Sequence, residues 1–351
     1  MQKKVLVFAV AAAMGLPAAA MADTTLYGRL NLSTDIVDNG EDTTHQLASN
    51  SSRLGVRGSE DLGNGLRGVF QIEAGLQGDS GSAFGSSNLT GRNTYVGLAG
   101  GFGEVRVGKH DTPYKLATLP LNFFADTLGD VNHVTSRMAS NDVSFYRRND
   151  NTLLYLSPDL DGLRFMASYT TDVSDDRASN ADANDQKAFS LAGTFTQGPM
   201  YVTVAYEQLN NWDDDNNARA WKVGGTYQID ALTLAAMYEN IDSKVDDIGD
   251  RDAFHLGAKY QLGQAYLMGS YTYAGEDDRD NTDAQMYALG AGYSLSRRTG
   301  VYAVFAQVLN ESGVGTGAAY GLNGSGKGKG VTPFDTGDNP AGFSVGVTHN
   351  F

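Results

Sequence analysis

The side chains best placed to do chemistry in this sequence are arginines and acids, and their spacing points to electric fields rather than bond making. Arg29, Arg53, Arg57 and Arg67 alternate with Leu30, Leu54, Val56 and Leu66. An extended backbone therefore puts the four bases on one face and the apolar residues on the other. Arg92, Arg106 and Arg164 fall on the polar side of their own short runs. The acids that could oppose them are Asp126, Asp130 and Asp142, in a long stretch over 110–148. Bases and acids that face each other across a narrow aqueous gap set a transverse field, and such charge rings govern which ions pass.

Covalent chemistry has no comparable support. The chain has 0 Cys, which excludes disulfides, cysteine zinc sites and thiol nucleophiles. Its five histidines, His45, His110, His133, His255 and His349, show no ligand or triad spacing. The run Gly63-Asn64-Gly65-Leu66-Arg67-Gly68 fits G-x-G-x-x-G but leads into a strand. Gly321 to Gly328 approaches a phosphate loop, yet Gly328 stands where Ser or Thr is required. A hydrolase built on a barrel would need a lipid-facing Ser-His pair, and His349 has no visible partner. No enzyme activity, metal or cofactor is expected. A net charge of −15 also argues against a nucleic-acid partner.

The elements that must position these charges are strands. Gly is high at 43, Tyr and Phe number 18 and 15, and Pro is only 7, a composition suited to twisted β-structure with tight turns. Phe254, Leu256, Ala258, Tyr260 and Leu262 alternate with His255, Gly257, Lys259 and Gln261. Trp221, Val223, Gly225, Tyr227 and Ile229 alternate with Lys222, Gly224, Thr226 and Gln228. Sixteen such bursts are expected, at 24–37, 50–58, 65–77, 91–98, 103–109, 149–157, 162–171, 186–196, 199–208, 218–228, 231–241, 252–262, 264–274, 284–294, 299–308 and 341–351. Their connections alternate between short turns and long loops, with 38–49, 110–148, 209–217 and 309–340 among the long ones.

Residues 1–22 read as a cleaved signal peptide: Lys3 and Lys4, an apolar run from Val5 to Ala13, and Ala20-Met21-Ala22 as the cleavage site. Loss of two lysines takes the charge from −15 to −17. No later stretch is long and apolar enough for a membrane helix. Export, sixteen strands and segregated loop lengths together predict a 16-stranded antiparallel transmembrane β-barrel over 23–351, in a Gram-negative outer membrane. Its apolar face meets lipid, and its polar face lines a channel wide enough for water. Tyr27, Tyr155, Tyr169, Tyr206, Tyr238, Tyr273 and Tyr293 are expected at the aromatic girdles. The apolar Leu116, Leu119, Leu121, Phe123 and Phe124 predict that the third long loop packs inside the barrel.

The chain resembles the trimeric general-diffusion porins of Gram-negative outer membranes. The resemblance lies in Thr25 to Arg29, Ser52 to Leu66, Arg92 to Leu98, Gly103 to Gly108, Ser157-Pro158 with Gly162, and the terminal Phe351. It implies a homotrimer of sixteen-stranded barrels, each narrowed by an inward-folded third external loop. It implies that Arg29, Arg53, Arg92 and Arg137 occupy the family's basic constriction positions, facing Asp126 and Asp130. Arg57, Arg67, Arg106 and Arg164 are further lumen bases. Phe351 resembles the signal read by the barrel-assembly machinery. Thr118-Leu119-Pro120-Leu121-Asn122-Phe123 carries no carboxylate where the enterobacterial branch places acids, which leaves the constriction more basic. The expected function is passive diffusion of small hydrophilic solutes and ions; a substrate-specific outer-membrane channel is the alternative. Five outer loops hold 20 of the 41 acids. Asp213-Asp214-Asp215 and Glu276-Asp277-Asp278 read as a solvated acidic surface, with divalent cations bridging to lipopolysaccharide as the rival reading.

Overall fold

The structure is a computed structural model, and it describes residues 23–80, 91–139, 143–173, 186–213, 216–244, 248–311, 319–323, 329–335 and 337–351. The signal-peptide expectation, and Asp142, lie outside these residues. The strands in chain order begin with β1 (Asp23–Asp38), β2 (Thr43–Ser49), β3 (Arg53–Gly63), β4 (Leu66–Gly75), β5 (Thr94–Gly100) and β6 (Gly103–Asp111). They continue as β7 (Arg148–Leu156), β8 (Leu163–Thr170), β9 (Ala188–Gln197), β10 (Met200–Asp213), β11 (Asn216–Ile229) and β12 (Leu232–Asp242). The last are β13 (Asp250–Leu262), β14 (Ala265–Ala274), β15 (Ala284–Ser294), β16 (Thr299–Asn310) and β17 (Ala341–Asn350).

All pair antiparallel with their neighbours, and β1 pairs with β17, so the sheet closes on itself. Both β2 and β3 pair with β1, which makes them one barrel strand broken at Asn50–Ser52. The count of barrel strands is therefore sixteen. At the break, Ser51 adopts φ 50°, while the Asn50 N–H still reaches the Asn31 carbonyl at 2.7 Å. The ladder is interrupted without leaving that donor unpaired.

Two expected loops shrink. Thr43 already pairs with Asp38, so the first external connection is only 39–42 rather than 38–49. Likewise β10 and β11 extend the hairpin expected to open at 209–217 until Asp213 pairs with Asn216. In both places polar strands continue beyond the apolar band, where alternation of hydrophobicity fades but hydrogen bonding does not. The tight turns are as expected: Ile229 to Leu232 and Leu262 to Ala265 close through Asp230 and Gly263, at φ 50° and 62°.

Side-chain alternation sorts the two faces. Leu98, Val107, Leu153, Leu256, Leu289 and Val347 point away from the lumen and are exposed, Leu289 at 65%. Such a band encircling a closed sheet is a lipid contact surface. Tyr155, Tyr169 and Tyr293 are among these exposed residues. Tyr27 departs from the girdle expectation: its ring is on the inner face and its hydroxyl donates to Glu73 Oε2 at 2.9 Å. Its parity on β1 matches that of Arg29, and that parity decides the matter.

The seam between the first and last strands is closed at its end by Phe351. Gly28 and Phe351 exchange both backbone hydrogen bonds, at 2.9 and 3.0 Å. The Phe351 ring lies over Gly28 so closely that a Cβ there would meet ring carbons at 2.2–2.8 Å. Gly28→Val is expected to destabilise the barrel by about 1–3 kcal/mol through overpacking. Loss of heat-resistant migration at a lower temperature would show this. The double variant Gly28→Val/Phe351→Ala should recover part of the loss.

Candidate functional site

The segment joining β6 to β7 carries the lumen chemistry. It opens with Thr112, whose Oγ1 accepts from the Lys115 N–H at 3.3 Å and caps a short helix, α1 (Pro113–Thr118). Proline in the first turn suits that start. Leu121 and Phe124 are buried, as are most residues from Leu128 to Ala139. Their partners are inner-face side chains, so the segment folds against the inside of the wall. Leu119 is the exception among the expected apolar anchors, at 40% exposed.

A buried charge cluster fastens it. Glu239 of β12 accepts from the Tyr114 hydroxyl at 2.8 Å and from the Ser136 N–H at 2.8 and 3.0 Å. Lys222 of β11 and Arg251 of β13 flank the same carboxylate at 3.0 and 2.9 Å, all three side chains at 0–1% exposure. Arg251 then donates to the Arg137 carbonyl at 2.8 Å, and Lys222 to Ser136 Oγ at 2.5 Å. Alternation had marked Lys222 as inward facing. Nothing local could pair it with Glu239 or with a loop 86 residues away.

A second cluster forms where the loop comes back to β1. Arg29 reaches Asp126 at 3.2 Å. Arg92 reaches Glu73 at 2.6 Å, and Arg53 approaches the same carboxylate at 3.8 Å. Arg29 lies directly opposite Arg53 in the β1–β3 register. Three bases and two acids thus meet, and all five remain in contact with water or nearly so. Sequence reasoning passed over Glu73, although its parity with Arg67 on β4 is a sufficient signal.

Two of the expected constriction residues do not join this group. Asp130 is 1% exposed and turns into the loop itself. Its carboxylate accepts from Asn122 Nδ2, the Asp126 N–H and both nitrogens of Asn132, at 2.8–3.0 Å. Burial pushes this carboxyl up to about 6, and the N–H donors act against that rise. Asp130 shapes the loop that presents Asp126, which sits at φ 61°. Arg137 is 8% exposed and donates to Asn323 Oδ1 at 3.2 Å, beneath the last external loop. Its own carbonyl accepts from Arg251 at 2.8 Å.

The remaining lumen bases differ among themselves. Arg164 pairs with Asp159 at 2.9 Å near the short-turn end. Arg106 pairs with Glu104 at 2.7 Å, touches His110 Nε2 at 2.6 Å, and stacks 4.4 Å above Tyr95. Arg57 stacks 5.0 Å from the Tyr27 centroid. Arg67 borders an open 870 Å³ recess with Arg106 and Arg164. Among the outer-loop acids, Asp277 is 8% exposed and held by Arg279, so it is not part of an open acidic surface. Carboxylate oxygens of Glu276, Asp283 and Glu311 lie within 4.8 Å of one another. The side chains of Asp213, Asp214 and Asp215 lie outside the described residues.

The sequence model of the Gram-negative porin family matches residues 9–313. The chain belongs to that family. It is 27% identical to outer membrane porin protein 32 of Delftia acidovorans over 370 residues, covering 100% of each chain. It is 26% identical to the major outer membrane protein P.IB of Neisseria meningitidis serogroup B over 326 residues, covering 85% of this chain and 91% of the relative. Among solved structures, an anion-selective porin from Comamonas acidovorans superposes with a TM-score of 0.78 at 23% identity, covering 94% of this chain and 100% of the other. This porin is an outer-membrane diffusion channel, and its relatives are channels rather than enzymes.

The buried carboxylate gives a direct test of the loop's fastening. Glu239→Ala would leave Lys222 and Arg251 as unpaired buried cations, which costs about 3–5 kcal/mol. Single-channel records of this variant should show larger and noisier currents than the parent. Quiet currents of unchanged size would mean that the apolar contacts of Leu121 and Phe124 suffice.

Proposed function

We propose that the channel prefers anions weakly, and that the preference is set where Arg29, Arg53 and Arg92 face Asp126. The observation that supports this is the charge count: three guanidiniums against the carboxylates of Asp126 and Glu73. Glu73 spends its charge holding Arg92 and Arg53, so the wall it lines stays net positive. Inside a narrow lumen the effective dielectric lies below that of bulk water, and a single uncompensated charge acts strongly on a passing ion. The five acidic outer loops hold 20 of the 41 acids, but most of these stand in water, where 0.1 M salt screens them over about 10 Å. A similar fold described as an anion-selective porin is consistent with this sign.

The working unit in this reading is a homotrimer. Lipopolysaccharide and other outer-membrane lipids cover the apolar band, and the barrel-assembly machinery reads the strand that ends in Phe351. The geometry of that strand favours the last point, since its terminal ring and backbone complete the seam with β1. The permeants are small hydrophilic solutes, with no dedicated binding step needed for passage.

Reversal potentials in a potassium chloride gradient test the selectivity. The parent should show a modest anion preference. Arg53→Glu should move the reversal potential toward cations, and Glu73→Gln should move it further toward anions. Coincident potentials for all three proteins would remove this cluster from the selectivity filter. A parent strongly selective for cations would show that the sign is wrong.

A further inference from the structure

We infer that the lumen holds an oxyanion-binding subsite at Arg57, between the Arg53 cluster and the short-turn mouth. It rests on the reading of the protein as an open channel and adds a ligand class to it. Arg57 follows Arg53 by four residues on β3, about 13 Å further toward the short turns at strand spacing. Its guanidinium lies over the Tyr27 ring, and among the described residues it has no ion pair and no side-chain hydrogen bond. Tyr27 is itself fixed by its hydrogen bond to Glu73. A guanidinium laid on an aromatic face is held in orientation while the N–H edges in its plane remain free. An aromatic ring thus holds Arg57 in place and leaves its guanidinium without an ion pair.

The surroundings complete a recess rather than a bare charge. Arg57 stands opposite Gln71, and Gln71 stands opposite Tyr95. Tyr95 in turn carries the Arg106 guanidinium 4.4 Å above its ring, so Gln71 and Tyr95 stand between the two bases along the inner wall. Glu104 accepts from Arg106 Nε and His110 Nε2 from its Nη1, which fixes the Arg106 guanidinium at two of its nitrogens. The His110 Nδ1 lies 2.9 Å from the Asp111 carbonyl. With Nδ1–H donated there, Nε2 is free to accept from Arg106. The recess beside Arg57 measures about 220 Å³ and is lined by Thr25, Ser59 and Tyr95 with Asp23 and Glu104; Arg106 lies outside that lining but pairs with Glu104, and neither acid forms an ion pair with Arg57.

Fork geometry decides the ligand class. Two parallel N–H groups match two oxygens of a carboxylate or phosphate, whereas a spherical halide gains from charge alone. The subsite should therefore hold small oxyanions longer than chloride. A carboxylate and a phosphate share the required chemistry, and both serve as probes.

The experiment is conductance against concentration for the full-length channel in potassium chloride, potassium acetate and potassium phosphate at neutral pH. The parent should saturate at lower concentration in acetate and phosphate than in chloride. Removing one charge-assisted contact in Arg57→Gln should raise the half-saturating oxyanion concentration by about ten-fold. Arg57→Lys keeps the charge but loses the fork, and should lose the early saturation while its chloride reversal potential stays at the parental value. Saturation in acetate alone or phosphate alone would narrow the class to that oxyanion and support the subsite. Equal saturation in all three salts, or an Arg57→Lys channel that saturates like the parent, would overturn it. The chloride reversal potential is read in the same membranes. A cation-selective parent that still saturates early in oxyanions refutes the selectivity reading and supports this one.

Discussion

Every feature of this molecule follows from the requirement that backbone N–H and C=O groups cannot be left unpaired in hydrocarbon. A sheet meets that requirement only by closing, and closure needs β1 and β17 to find each other. Gly28 and Phe351 exchange hydrogen bonds there, and glycine is needed because the terminal ring occupies the space of any Cβ. Once the sheet is closed, the period of two does the rest. One side of every strand must be apolar for lipid, which frees the other side for charges that no soluble core would hold. The arginine-lined lumen is thus a consequence of the same constraint that fixes the fold.

A barrel of sixteen strands is too wide to discriminate by its wall alone. The segment between β6 and β7 narrows it, and that segment must be held against a wall that is polar. The protein uses one buried carboxylate for this. Glu239 meets Tyr114 near the start of the loop and Ser136 near its far end, with Lys222 and Arg251 balancing its charge. Desolvating such a set is costly, and an apolar replacement could be equally stable. What the charged set supplies is position: hydrogen bonds with defined directions fix where Asp126 stands relative to Arg29, which apolar contacts alone would define less tightly.

Strand parity and loop alternation made the barrel legible from the sequence, because both are local. The inward positions of Arg29, Arg53, Arg57 and Arg67 followed from neighbouring leucines and valine. The failures arose where local rules run out. Thr43–Ser49 lacks a full apolar face, so its pairing with β1 was invisible. Tyr27 suited an aromatic girdle by composition, yet parity placed it inside. Asp130 and Asp126 differ by only four positions, and nothing in their identities distinguishes the one that organises the loop from the one that meets Arg29. Arg137 matched a motif but was captured by a contact with Asn323, far away in sequence.

The position of Glu73 links these levels. It sits on β4 with Tyr27 on one side and Arg92 and Arg53 on the other. A carboxylate there lowers the positive charge on which the proposed anion preference rests. Its absence would leave three guanidiniums near one another with a single acid opposite, and mutual repulsion would splay them. With Glu73 in place, two bases are held together and a tyrosine ring is fixed as a platform for Arg57. One acid therefore lowers the total charge of the wall while making its bases stationary. For ions crossing a narrow water-filled gap, fixed charge acts at a defined place in the path, whereas mobile charge is averaged by solvent and salt. The selectivity of such a channel depends on where its charges are held as much as on how many there are.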